Sequence, residues 1–450
     1  MFDPCITHQS TSLLNAMFKR LFVFCALLCT TVHHVVQVSG LSLPGKTHAN
    51  APPLGRKGLR WQVLGFNGIN MTARTLASGV GLATLLASSG WAASGPPSSP
   101  ASASQNCTEQ ASDACYHGFA LPGQAGRMHF YASLAPQAEK ADGSAGPQAA
   151  LLIMHGHPRD ANRSFNAALD AARRAGRLDT TLVIAPLFQV ASDKAERCRS
   201  KGTPAPEPGD ALWTCSSWLA GKNSQAGAGR APINAIAALD ALIAHIHQRW
   251  PSVRQITLAG FSAGGQMLQR SIGFAQQPPV GVSLRYVVAD PGTWLYFDPL
   301  RPQPQRAGSD VDWAACSDAA CSYRMQLPEA QSCPGYDHWK YGTQALPSYL
   351  GSNAAQARER YRQADIHYLE GALDNHAGKG TSYGALDKSC AALLQGPFRR
   401  QRGDGYAAYV SQVLQPPRPQ PLYTVPGCAH DVACVLPSDA ARPALFGTAP

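Results

Sequence analysis

One stretch limits the fold of this chain more than any other. Gln255, Ile256, Thr257, Leu258 and Ala259 form a short run suited to a buried strand, and residues 265–275 favour a helix. Between them lies Gly260, Phe261, Ser262, Ala263, Gly264, the pattern G-x-S-x-G. A serine in that pattern sits on a tight strand-to-helix turn, where the strained backbone tolerates little side-chain bulk nearby and the glycines make room. The helix then begins with its N-terminus pointing at Ser262.

The rest of the chain has the rhythm this turn requires. From Gly118 onward short apolar runs alternate with helix-like segments, which predicts a mostly parallel, doubly wound α/β sheet covered on both faces. Strands are expected at Met128 to Ala132, Ala149 to Met154, Leu182 to Ala185, Ser283 to Ala289, Ile366 to Leu369 and Leu422 to Val425. Helices are expected at Arg163 to Ala175 and Ile233 to Trp250, and no internal repeat is visible. Two excursions are too long for simple connectors. Leu187 to Gly229 holds Trp213 and Trp218, and Pro291 to Ser352 holds Trp294 and eight further tyrosine, phenylalanine and tryptophan residues. Long ordered loops in compact domains are commonly lids or binding walls. The second is therefore expected to form an aromatic, cysteine-rich lid over about 291–352, with most of its aromatics packing among themselves and Trp218 and Trp294 lining the substrate cleft.

The amino-terminal 93 residues have the composition of targeting sequence. They supply +6 of the +10 formal charge, so the remainder lacks the basic stripe that nucleic-acid binding needs. Lys19 and Arg20 precede an apolar run from Leu21 to Val32. A second signal-like pattern begins at Met71, with Arg74, an apolar stretch from Leu76 to Leu86 and a small-residue cleavage zone at Gly90 to Ala93. The second pattern abuts a Pro/Ser/Ala linker, which favours Met71 as the true start. The organisation expected is a leader over 1–93, a linker over 94–114, a catalytic domain over 115–437 and a tail over 438–450. Ten of the thirteen cysteines lie beyond the leader, and none forms a Cys/His ligand cluster suited to zinc. Pairings of 107 with 115, 198 with 215, 316 with 321, 333 with 390 and 428 with 434 are expected, in a secreted or periplasmic protein whose mature chain has no stable membrane insertion.

A serine hydroxyl needs a base to take its proton, and a histidine serves as that base when a carboxylate holds its tautomer. In a doubly wound sheet of this kind the acid follows the serine and the histidine comes last. The final strand runs into PGCAHD, which places His430 on a loop that two cysteines can pin. The penultimate strand runs into EGALDN and offers Asp374; Asp290, directly after Ala289, is a rival one strand earlier. The negative charge that develops during attack needs two donors. Ala263 supplies one backbone N–H, and the loop HGHPRD after the strand Ala149 to Met154 supplies the other from His157 or Gly156, with His157 favoured. His155 and His157 alone make a weak metal site, and the chemistry calls for no metal and no cofactor.

GFSAG, HGHP, GALDN and PGCAHD, each after a strand, together resemble the α/β-hydrolase superfamily across residues 115–437. Within it the chain is most similar to secreted esterases and depolymerases of the feruloyl-esterase or polyhydroxyalkanoate-depolymerase type. The resemblance implies Ser262 as nucleophile, Asp374 as acid, His430 as base, and Ala263 with His157 as the oxyanion hole. It departs from the pattern at Arg159 and Asp160, which stand where a glycine run is usual. The implied activity is hydrolysis of a small-molecule or polymer ester through an acyl-enzyme. A peptidase or amidase with the same residues, and a silent ligand-binding protein, are the alternatives. Oligomeric state is not legible in the sequence.

Overall fold

The computed structural model describes residues 107–135, 146–227, 229–316, 321–329 and 331–447. The leader, the Met71 start and most of the linker lie outside the described residues. Among the described residues no helix is long and apolar enough to cross a membrane.

In chain order the elements are β1 (Tyr116–Ala120), β2 (Arg127–Ala132), β3 (Ala149–Met154), α1 (Ala161–Arg174), β4 (Thr181–Leu187), α2 (Ala235–Arg249), β5 (Gln255–Phe261), α3 (Ala263–Ser271) and β6 (Ser283–Ala289). Then follow β7 (Arg301–Arg306), β8 (Ser309–Asp310), β9 (Ser322–Gln326), α4 (Ala354–Gln363), β10 (Asp365–Gly371), α5 (Cys390–Leu393), α6 (Arg399–Tyr409), β11 (Leu422–Val425), α7 (Val432–Val435) and α8 (Arg442–Phe446). The main sheet has eight strands in the order β1-β2-β4-β3-β5-β6-β10-β11. From β4 to β11 every pairing is parallel, while β1 with β2 and β2 with β4 are antiparallel.

Both faces of the sheet are buried, which is why its strands read as nearly unbroken apolar runs. Leu152, Met154, Ile184 and Leu258 point into one core with α2, α3 and α4. Their neighbours Leu151, Ile153, Val183 and Ala259 point into the other with α1, α7 and α8. Helix α1 carries Phe165, Ala168, Leu169 and Ala172 on one buried face, the i, i+3, i+4, i+7 spacing of an amphipathic helix. Helix α2 starts at Asn234, whose side chain accepts a hydrogen bond from the Ala237 N–H at 2.8 Å and so satisfies one orphan donor of the first turn.

Several expectations are corrected. The folded unit includes residues 107–114, because the Cys107 N–H donates to the Ser133 carbonyl at 2.7 Å and Ala111 donates to the Asn166 side chain at 2.7 Å. The segment expected as a tail packs under the sheet: Thr257 Oγ1 donates to the Leu445 carbonyl at 3.0 Å and Leu445 is buried. The excursion at 291–352 contains a small antiparallel sheet, β8-β7-β9, and among its described residues only Gly292 and Lys340 line the cleft at Ser262. The pairs 107–115, 198–215, 316–321, 333–390 and 428–434 are bonded as expected.

Candidate active site

Strand β5 ends in a turn whose geometry explains its glycines. Ser262 adopts φ 58° and ψ −117°, a conformation few L-residues occupy. A side chain at Gly260 would place its Cβ 2.5 Å from the Gly264 carbonyl oxygen, and one at Gly264 would lie 2.5 Å from the Met154 oxygen and 2.6 Å from the His155 oxygen. Helix α3 thus presses against the ends of β3 and β5, and that pressure holds the serine out over the strand ends.

Three side chains from three loops meet there. His430, on the loop after β11, has Nε2 2.8 Å from Ser262 Oγ and Nδ1 2.8 Å from Asp374 Oδ2. With Nδ1–H donating to the carboxylate, Nε2 is left to accept the serine hydroxyl. The disulfide Cys428–Cys434 brackets the histidine, its N–H donates to the Gly380 carbonyl at 3.0 Å, and its ring packs on Phe261 with centroids 4.7 Å apart. Asp374 is held by the turn after β10, its N–H donating to Gly371 O at 3.0 Å, and by Arg399, whose Nη1 donates to Oδ1 at 3.4 Å. Burial depresses the basicity of His430; the bond to Asp374 works against that, and the Arg399 charge adds to it.

The rival acid occupies the space behind. Oxygens of Asp290 and Asp374 and a ring nitrogen of His430 lie within 4.8 Å of one another. Asp290 instead accepts the Gly371 N–H at 2.8 Å and leaves its other oxygen unbonded. Burial, then the charge of Asp374, pushes its pKa up to about 7. Glu370 beside it is also fully buried, and burial, then Asp290 and Asp374, raise its pKa well above the usual range. Burial and mutual repulsion thus raise the pKa of both carboxyls that lie behind Asp374.

The loop after β3 forms the opposite rim. His157 and Ala263 both line the cleft, and among the described residues neither backbone N–H is taken up by a hydrogen bond. His155 serves the core. Its Nδ1–H donates to Gly156 O at 2.8 Å, its Nε2 accepts the Phe188 N–H at 3.2 Å, and burial lowers its pKa to about 4. Arg159 turns away from the cleft, with Nε on the Cys198 carbonyl and Nη1 on Gln189 Oε1, both at 3.0 Å. Asp160 faces the cleft and accepts the Gly156 N–H at 3.1 Å. The charged pair that breaks the glycine pattern therefore braces this loop from two sides.

The cleft has a volume of about 310 Å³. Trp218 and Trp294 do not line it, contrary to expectation. Trp218 is fully buried, stacked on Phe188 at 5.2 Å and edge-on to His155 at 4.6 Å; Trp294 is fully buried and stacked on Tyr406 at 4.3 Å. Large rings in these loops find deep apolar seats, and it is their neighbours Ser216, Leu219 and Gly292 that reach the cleft. The sequence reading also missed Lys340, Ser382, Leu386, Asp387 and Arg399, which complete the wall. They are single residues on loops with no motif around them. Arg399 alone stands on a helix, as the first residue of α6.

A doubly wound sheet in this strand order, with serine at the turn after β5, carboxylate after β10 and histidine after β11, is the α/β-hydrolase fold. No protein-family model and no curated protein sequence matches the chain. Solved structures similar to it include poly(aspartic acid) hydrolase-1 from Sphingomonas sp. KT-1, at 18% identity over 74% of this chain and 98% of that one, TM-score 0.45. LpqC, a poly(3-hydroxybutyrate) depolymerase from Bordetella parapertussis, is 17% identical over 71% of this chain and 85% of that one, TM-score 0.40. Siderophore hydrolase EstB from Aspergillus nidulans is 11% identical over 74% and 96% respectively, TM-score 0.38.

Proposed function

We propose that the protein is an exported serine hydrolase that cleaves carboxylic esters, of small acyl or aryl type or of a polyester, through an acyl-enzyme. The single observation carrying this reading is the imidazole of His430 set 2.8 Å from both Ser262 Oγ and Asp374 Oδ2. In this mechanism Oγ attacks the ester carbonyl as its proton passes to Nε2, and Asp374 stabilises the imidazolium that forms. The N–H groups of Ala263 and His157 receive the oxyanion, each contributing about 3–4 kcal/mol at the transition state. His430 then returns the proton to the departing alkoxide, and the ester bond breaks to leave Ser262 acylated. Water, deprotonated by the same Nε2, releases the acid and restores the serine. Five disulfides among the described residues support export to an oxidising compartment, periplasmic or extracellular.

The test is labelling by a fluorophosphonate probe followed by turnover of nitrophenyl esters against nitroanilides. Labelling at Ser262 with faster ester turnover is the expected result. A preference for anilides makes the protein an amidase or peptidase, and folded protein that resists the probe is a ligand-binding protein with an idle triad.

A further inference from the structure

One wall of the cleft holds more positive charge than its acids balance. Lys340 lines the cleft with Nζ 3.3 Å from Asp387 Oδ2 and a side chain 29% exposed. Asp387 is already well supplied, taking the Tyr341 hydroxyl at 2.6 Å and the Ser389 N–H at 3.0 Å. Behind it lie two buried guanidinium groups bonded only to neutral acceptors. Arg270 donates to the Leu219 carbonyl at 2.7 Å, Thr293 Oγ1 at 2.7 Å and Gln266 Oε1 at 3.2 Å. Arg402 donates to the carbonyls of Gly396, Gly292 and Asp387. Neither pairs with a carboxylate among the described residues. Fixed charges in a shaped, partly dry cleft act over its whole width.

Gln266 extends the same wall. Its Oε1 accepts from Thr293 at 2.8 Å and from Arg270, which leaves its amide N–H groups as the polar edge offered to the cleft it lines. The cleft's other acids stand on the α1 side. Asp160 holds the Gly156 N–H, and Asp431 pairs with Arg163 at 2.6 Å. An anion entering the cleft therefore finds a cationic, donor-rich wall facing an acidic rim.

Resting on the hydrolase reading, we propose that Lys340, backed by Arg270, Arg402 and Gln266, binds a free carboxylate on the ester substrate. The substrate class is an ester with a second, ionised carboxyl group, such as the half-ester of a dicarboxylic acid or an oligoester with an acidic side group. The incoming carboxylate shares the Lys340 ammonium with Asp387, and the buried guanidinium groups compensate the added negative charge.

The experiment compares kcat/KM of the intact protein on two nitrophenyl esters of matched length, a neutral butyrate and an anionic hemisuccinate. The readout is the ratio of anionic to neutral. In the wild type it exceeds one and falls as salt is added. Lys340→Gln lowers the ratio about tenfold, mostly through KM of the anionic ester, as expected for loss of one charge-assisted hydrogen bond. Asp387→Asn, which removes the competing acid, raises it. A ratio below one in the wild type, or one that neither substitution moves, overturns the proposal while leaving the hydrolase reading intact. Failure of both esters together with failure to label Ser262 strikes the hydrolase reading instead.

Discussion

Arg399 and His430 grip the same carboxylate from opposite sides. The guanidinium takes Oδ1 of Asp374 at 3.4 Å and the imidazole takes Oδ2 at 2.8 Å, with all three side chains almost wholly buried. The carboxylate is thereby fixed in orientation, and a positive charge is held near the ring proposed to take the serine proton.

A pH profile reads this directly. In the proposed mechanism His430 works only when neutral, and burial holds its pKa below the ordinary 6.5, so kcat/KM is expected to persist below pH 6.5 and to fall as the pH drops through the lowered value. Arg399 adds to that depression. Arg399→Gln is expected to raise the pKa and move the acid limb of the kcat/KM profile to higher pH. An unmoved limb means that the guanidinium acts on geometry alone.

Ser262→Ala keeps the Cβ and loses only the hydroxyl. Turnover of any ester is expected to fall by roughly 10⁴-fold or more. The thermal midpoint should change little, because the strained backbone at φ 58° is imposed by the glycine contacts around it. A variant with near-normal turnover removes Ser262 from the chemistry.

Asp374 and Asp290 should separate cleanly. Asp374→Asn is expected to cut kcat by about 10⁴, since the amide no longer holds the required tautomer. Asp290 acts on stability instead. Its pKa is raised from 3.8 to about 7, so the fold binds its proton more tightly than the unfolded chain does. That contribution is fully present below pH 4 and is lost as the pH rises to about 7. Asp290→Asn keeps the acceptor for the Gly371 N–H without the titration. Unfolding free energies from urea titrations at pH 5 and pH 8 should converge in the variant relative to the wild type, by on the order of 2 kcal/mol.

Gly264 has no room for a methyl group. Gly264→Ala forces a Cβ to 2.5 Å from the Met154 oxygen, and backbone at the ends of β3 and α3 has to shift. A loss of about 2–3 kcal/mol in chemical denaturation is expected, with a fall in kcat because the displaced elements carry the two N–H groups proposed to receive the oxyanion. Unchanged stability shows that the turn is softer than its contacts imply.

What the sequence made legible was whatever a local pattern controls. The parallel strands β3, β4, β5, β6 and β10 were visible because the main sheet is covered on both faces, which forces apolar runs, whereas β7, β8 and β9 belong to a smaller, more exposed sheet and carry no such signal. Ser262, Asp374 and His430 stood out because each follows such a run on a short loop, and four of the five disulfides join cysteines no more than 17 residues apart. Strand β1 was missed. Its sequence YHGFA is short and edge-placed, and Gly118 breaks the pattern because a Cβ there would meet the Arg127 guanidinium at 2.6 Å. Trp218 and Trp294 were misplaced for a different reason. Their seats are made by Phe188 and Tyr406, the second more than a hundred residues away, and no local pattern reports a partner so distant. Lys340, Asp387 and Arg399 were invisible on the same ground, being single charges whose meaning comes from a fold that converges on one cavity.

The bond from Arg159 to the Cys198 carbonyl ties the mouth of the cleft to a sulfur bridge. Cys198 is joined to Cys215, and the very next residue, Ser216, lines the cleft. Opening this one bridge should therefore loosen that wall of the cleft. A Cys215→Ser variant, which leaves the Cys428–Cys434 bridge around His430 in place, is therefore expected to slow a bulky ester more than a compact one.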